Sequence, residues 1–400
     1  MKGRSGISFG PKYSRRRQAD PRHARSRSPF TLARADGGRH LERMRALAIT
    51  CVKNEAAFLL EWLAHHRTVG FTDFLIFSND CSDGTAEMLD RLAQLGWLTH
   101  ERNPGPWDTG PQWDALKAAD RHPLKACADW IAVLDVDEFV TIKTGDGTLG
   151  ALISASAPAT AIAMTWRLFG NCGKVAFEDT PVTQQFTRAA PIGMLWPWRA
   201  SMFKTLFAND GTYGKLGVHR PRSPDKDHLK SALWVDGSGR KLPALYQRQK
   251  LFTPLGSDPY GLVQLNHYAL GAMESYIVKC DRGRANRAAG AFDMSYWVER
   301  NFCTTPDTAI ARYDDAAGAL RAQLMADPEL AALHDVAVAW RRDRFAQVML
   351  EEEYRALFGR LLLSPPSRPL SPMAAQRMVS LGLRANDAKR ETKAAKNDHC

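Results

Sequence analysis

No apolar run in the 400-residue sequence approaches the roughly 18 to 20 residues needed to cross a bilayer. The first thirty residues also lack the apolar middle of a secretory signal. A soluble, cytoplasmic protein is the expectation. Cysteine is sparse and scattered: the seven, at 51, 81, 127, 172, 280, 303 and 400, never form a C-x-x-C. That spacing argues against a disulfide framework or a zinc knuckle and fits a reducing compartment. A basic face over the folded part is missing as well. The formal charge is +11, but residues 1–45 alone carry +10 and the other 355 only +1, so specific nucleic-acid binding by the folded part is not expected.

The basic excess belongs to residues 1–43, which are rich in Arg, Ser, Gly and Pro and show no hydrophobic period. They read as a disordered arm able to touch phosphate-bearing partners or an anionic membrane surface, with Met44 as an alternative start. From Met44 the pattern changes. Ala46 to Val52 reads as a strand, Lys53-Asn54-Glu55 as a turn, and Phe58, Leu59, Trp62, Leu63, His66 and Val69 as one buried helical stripe closed by Gly70. A second strand at 74–77 leads into Asn79 to Thr85, a turn rich in cap residues, and then a helix carrying Met88, Leu89, Leu92 and Leu95. A third strand is expected at 97–100, and a helix over 111–127.

Strands alternating with helices in this way predict an α/β fold of Rossmann-like type, mainly a parallel sheet flanked by helices. Both polar turns, 53–55 and 78–85, then fall on one edge of the sheet. Neither turn is a G-x-G-x-x-G or a G-x-x-x-x-G-K-[ST], so dinucleotide and P-loop sites are not supported.

The fourth strand, Trp130 to Leu134, is a short apolar run, as in a strand covered on both faces. Asp135, Asp137 and Glu138 follow at its carboxyl end, where an open α/β sheet places its ligands. Alternate residues of an extended segment share a face, so Asp135 and Asp137 are expected to point the same way and to grip one hard divalent cation. Like charges so close repel unless a cation or proton offsets them.

Beyond this strand, a helix is expected at 148–156 and a strand at 161–167. The stretch 168–265 is expected to be irregular; Trp166, Trp196, Trp198, Tyr213 and Trp234 could line a sugar-stacking surface but are read mainly as core. Asn266-His267-Tyr268 precedes a helical segment bearing Lys279, Arg282 and Arg284. The domain reading is a basic arm at 1–43, a catalytic domain at 44–300, a helical segment at 301–363 and a flexible, Pro/Ser-rich and then polar tail at 364–400.

Five segments in order are similar to a known group: Lys53-Asn54-Glu55, Glu61 to His66, Asn79 to Thr85, Asp135-Val136-Asp137-Glu138-Phe139, and Asn266-His267-Tyr268 through Arg282-Gly283. Over about residues 45–285 the chain resembles the bacterial family-2-like glycosyltransferases with a GT-A fold, close to the family 92 type. The resemblance implies a nucleotide-diphosphate sugar donor, Mn2+ or Mg2+ at the D-x-D, and a hydroxyl acceptor, carbohydrate or lipid-linked, with inversion favoured. It puts Glu55 and either Asn79 or Asp83 near the base and ribose and makes Asp137 a metal ligand. Asp135 would hold metal or ribose, and His267 would be a further metal ligand, with His219 as its rival. The departing diphosphate needs cations where its charge develops, and Lys279 and Arg282 are the residues to reach it. For the catalytic base, Glu178 and Asp179 are the first adjacent carboxylates downstream of Asp146, with Asp236 next in line. Two other functions compete: a phosphatase of the haloacid dehalogenase type, and a nucleic-acid or surface-binding protein acting through the arm.

Overall fold

The computed structural model describes residues 44–283 and 293–397. The expected basic arm and Arg284 lie outside them. The first half alternates as expected: β1 (Ala46–Val52), α1 (Ala56–Val69), β2 (Asp73–Ser78), α2 (Thr85–Gln94) and β3 (Thr99–Arg102). The helix expected over 111–127 is two, α3 (Pro111–Ala119) and α4 (Pro123–Cys127), because Pro123 cannot continue a helix and opens the second one at its first turn. Next come β4 (Trp130–Val133), β5 (Glu138–Ile142), α5 (Leu149–Ser156) and β6 (Ala161–Leu168).

The stretch expected to be irregular holds one short α-helix, three single-turn 3-10 helices and five strands, among them α6 (Val182–Gln185), β7 (Arg188–Ala189), β8 (Phe203–Ala208), β9 (Tyr213–Lys215), β10 (Arg222–Pro224) and β11 (Trp234–Asp236). These strands are two to six residues long and set among Gly and Pro, too brief for a period of two to stand out. The chain continues through β12 (Val263–His267), α7 (Met273–Arg282), α8 (Met294–Val298) and β13 (Thr305–Pro306). It ends in α9 (Asp314–Met325), α10 (Pro328–Val348), α11 (Glu352–Leu363) and α12 (Pro372–Asn397). The last of these places a helix within the 364–400 tail, where none is expected from the sequence. Its Ala, Leu, Met, Arg and Lys content favours helix once Pro372 has opened it.

One sheet runs in the order β3-β2-β1-β4-β8-β6-β12-β5, with β11 also paired to β6. The pairs among β1, β2, β3 and β4 are all parallel, so their carboxyl ends share an edge. β8 then enters antiparallel between β4 and β6. Both faces are covered. Ala46 and Ala48 belong to a core cluster with Trp62, Met88, Leu324 and Leu330. Leu47 and Ile49, the alternate residues, belong to another with Leu116, Phe203 and Trp234. The C-terminal helices α9 and α10 thus share a core with the sheet.

Candidate functional site

The carboxyl edge of the parallel strands opens into a cleft of about 430 Å³. Strand β1 delivers Cys51 and, just past its end, Lys53 and Glu55; the segment after β4 delivers Asp135, Val136 and Asp137. Asp135 and Asp137 meet here, but not as alternate residues of an extended strand. They sit in a tight turn between β4 and β5, closed by the Glu138 N–H donating to the Asp135 carbonyl at 3.0 Å.

Helix α1 sets that turn in place. The Trp62 side chain is fully buried, and its indole N–H points at the carbonyls of Asp135 and Glu138, each 3.1 Å away. His65 Nε2–H donates to the Val140 carbonyl at 2.8 Å, and His66 Nε2 accepts from the Val140 N–H at 3.3 Å. The Glu61 to His66 run is therefore a platform under the turn. Burial holds the His65 imidazole down at about 4, and burial together with His65 keeps His66 well below the usual range, so both rings stay neutral.

Two lysines hold the acidic turn. Lys204, on β8 and with no exposed surface, reaches Asp135 Oδ2 at 3.0 Å and Glu138 Oε2 at 3.4 Å. Glu138, equally buried, accepts the Asp135 N–H at 2.9 Å and the Trp166 indole N–H at 2.6 Å. Burial pushes its carboxyl up to about 8, against the pull of Lys204. Lys279, on α7, contacts Asp137 Oδ2 at 2.7 Å. Burial alone would raise Asp137; Lys279 and His267 override it and hold the carboxyl well below the usual range. One turn along α7, Arg282 pairs with Glu55 and donates to the Lys53 carbonyl at 2.7 Å.

The other sequence-derived residues divide. His267 lies at the end of β12, 3.7 Å from Asp137 Oδ2, with its ring against Trp166 at 4.2 Å between centroids. Asn79 and Asp83 do not line the cleft. Asn79 is buried and accepts from the Cys51 thiol at 3.2 Å, while Asp83 accepts the Ala56 N–H at 3.1 Å and the Thr85 N–H at 2.9 Å, tying the start of α1 to that of α2. Glu178 is exposed beside Lys174 at 3.2 Å, in a smaller recess that shares Glu55, Asp137, Lys279 and Arg282 with the cleft. Asp179 contacts His334 on α10 at 3.0 Å and so fastens its loop to that helix. Asp236 is buried under the turn it closes with Arg240, outside the cleft.

Each D-x-D carboxylate is already occupied by an ammonium group, and among the described residues no three His, Cys, Asp or Glu side chains are placed to hold an ion. What the cleft presents is cationic. Lys53, Arg199, Lys279, Arg282 and Arg300 outnumber Glu55, Asp135 and Asp137, a net of +2. Sequence reasoning missed Lys204, Arg199 and Arg300. Only Lys204 left a signal there, as a lone lysine inside the apolar run Phe203-Lys204-Thr205-Leu206-Phe207.

Residues 48–233 match the sequence model of Glycosyltransferase family 92. A Glycosyltransferase family 92 protein of Ricinus communis is 29% identical over 154 residues, covering 35% of this chain and 25% of the relative. One from Oryza sativa subsp. japonica is 26% identical over 141 residues, covering 34% and 24%. The chain spans about a quarter of the length of these curated relatives. Both are plant proteins, whereas the sequence motifs pointed to bacterial enzymes. Among solved structures, S. aureus TarS aligns over 59% of this chain and 38% of its own, at 11% identity and a TM-score of 0.28. The galactosyltransferase LgtC, in complex with donor and acceptor sugar analogs, aligns over 68% and 95%, at 10% identity and a TM-score of 0.27.

Proposed function

We propose that the protein is a glycosyltransferase of GT-A type that moves a sugar from a nucleotide-diphosphate donor to a hydroxyl acceptor, carbohydrate or lipid-linked. The observation that carries this reading is the cationic cleft at the carboxyl edge of β1 and β4, whose acidic turn lies in the stretch that matches the family 92 sequence model. A diphosphate ester brings two negative charges, and a net of +2 among the cleft's lining residues complements them. Lys279 and Arg282 stand one turn apart on α7 with their heads on Asp137 and Glu55. When the donor enters, both heads turn to its phosphate oxygens and exchange a carboxylate for a ligand of the same sign. Asp135, held from behind by Lys204, faces the ribose. Donation from Lys279 and Arg282 then strengthens as the bridging oxygen leaves, and that difference lowers the barrier.

No step in this reading passes through a metal, although Mn2+ or Mg2+ at Asp135, Asp137 and His267 was the expectation from the resemblance. The test is thermal stabilisation by a panel of nucleotide sugars, each with EDTA and with added Mn2+ or Mg2+. A ligand at a hundred times its Kd stabilises by about 2.7 kcal/mol. At least one nucleotide sugar is expected to do so in EDTA. Stabilisation that requires Mn2+ or Mg2+ restores the metal to the turn, and none under either condition ends the reading.

A further inference from the structure

We infer that His219 is the base that takes the proton from the acceptor hydroxyl, in a transfer that inverts the anomeric carbon. The inference rests on the glycosyltransferase reading above.

Every carboxylate lining the cleft is engaged by a cation: Glu55 by Arg282, Asp135 by Lys204 and Asp137 by Lys279. Glu178 and Asp179 lie outside the cleft. His219 is different, because its ring Nδ1 sits 3.1 Å from the Phe203 carbonyl and a carbonyl only accepts. Nδ1 therefore carries the hydrogen, and in the neutral ring Nε2 keeps its lone pair. Among the described residues Nε2 has no hydrogen-bond partner, and the residue lines the cleft.

Its support is rigid. The Thr205 hydroxyl donates to the His219 carbonyl at 2.9 Å, so β8 ties both the backbone and the ring. Its place in the cleft also suits the role. His219 shares a wall with Trp166, Met202, Val218 and Phe252, largely apolar and aromatic, and meets Trp166 edge to face at 5.7 Å between centroids. Such a wall offers a sugar ring its hydrophobic face. The groups facing His219 are Lys204 on β8, Asp135 on the β4–β5 turn and His267 on β12. Burial first, and then Lys204, hold its imidazole down at about 4, so it is neutral at pH 7.

In the reaction the acceptor oxygen bonds to the anomeric carbon as the bond from that carbon to the diphosphate oxygen breaks. The electron pair leaves with the diphosphate. The hydroxyl proton passes to Nε2, and water later removes it from the imidazolium. Water entering in place of the acceptor is activated in the same way, so hydrolysis of the donor reports the same step.

The test is His219→Asn, whose side-chain amide can still donate to the Phe203 carbonyl but has nothing at Nε2. It uses the full chain and whichever nucleotide sugar stabilises the wild type. Donor affinity within about twofold of wild type and turnover, by transfer or hydrolysis, lower by about 10²-fold or more are expected. The acid limb of the wild-type pH–rate profile should vanish in the variant. Wild-type turnover in His219→Asn overturns the inference and leaves the glycosyltransferase reading standing. A comparable loss of donor affinity shows His219 to be a binding residue and also overturns it. If no nucleotide sugar binds the wild type, both readings fall together.

Discussion

Trp62 supports the acidic turn from helix α1. Its indole N–H faces two carbonyls of that turn from a fully buried position. Trp62→Phe keeps most of the apolar area but removes the indole donor from both carbonyls, leaving Asp135 with the Glu138 N–H alone. Unsatisfied buried polar groups cost about 1–3 kcal/mol, and that loss is expected in denaturant unfolding, together with weaker donor binding. An unchanged midpoint would show that the turn holds itself. The sequence made Trp62 legible as a core position through its helical spacing, and Asp135 and Asp137 through their place after an apolar strand. It did not reveal what the carboxylates touch. Lys204 lies 69 residues from Asp135 and Lys279 lies 142 from Asp137, and no local pattern reports contacts at that separation. Asp83 and Asn79 show the converse: a cap-rich turn was read as ligand-binding where its side chains bind the turns themselves.

Among the elements, α1 and β5 are joined by the two neutral histidines. His65 has a folded-state pKa below its unfolded value, so between about 6.5 and 4 the unfolded chain binds more protons. Its contribution to stability is complete above 6.5 and is lost as the pH falls through that window. His65→Gln keeps a donor where Nε2–H meets the Val140 carbonyl but cannot titrate. The variant is expected to lose less stability than wild type between pH 6.5 and 4, as read from urea midpoints. Parallel acid sensitivity in the two proteins would place the titrating group elsewhere. The first four strands were legible as short apolar runs between polar turns, and α1 and α2 through their helical stripes, whereas α3 and α4 read as one helix. β5 was not, because Glu138 to Ile142 continues an acidic turn, and its partner β12 is more than a hundred residues away. α12 was missed for another reason: polar and Pro-rich flanks masked a run of good helix formers.

For the molecule as a whole, charge distribution decides the reading. The folded part is nearly neutral in sum, yet its cleft is cationic, and the surplus sits where the parallel strands end. Composition could not show this, because the residues responsible come from the turn after β1, from α7 and from the segments at residues 199 and 300, and converge only in the fold. The central claim is that these cations receive a diphosphate. The direct measurement is titration calorimetry of the full chain in EDTA with a nucleoside diphosphate, its monophosphate and the bare nucleoside, for wild type and for Lys279→Met. The diphosphate should bind most tightly, and Lys279→Met should weaken it about 10- to 100-fold, since a hydrogen bond to a charged group contributes about 1.5–3 kcal/mol, while leaving the bare nucleoside unaffected. Equal affinities for the three ligands, or diphosphate binding that Lys279→Met does not change, would contradict the account.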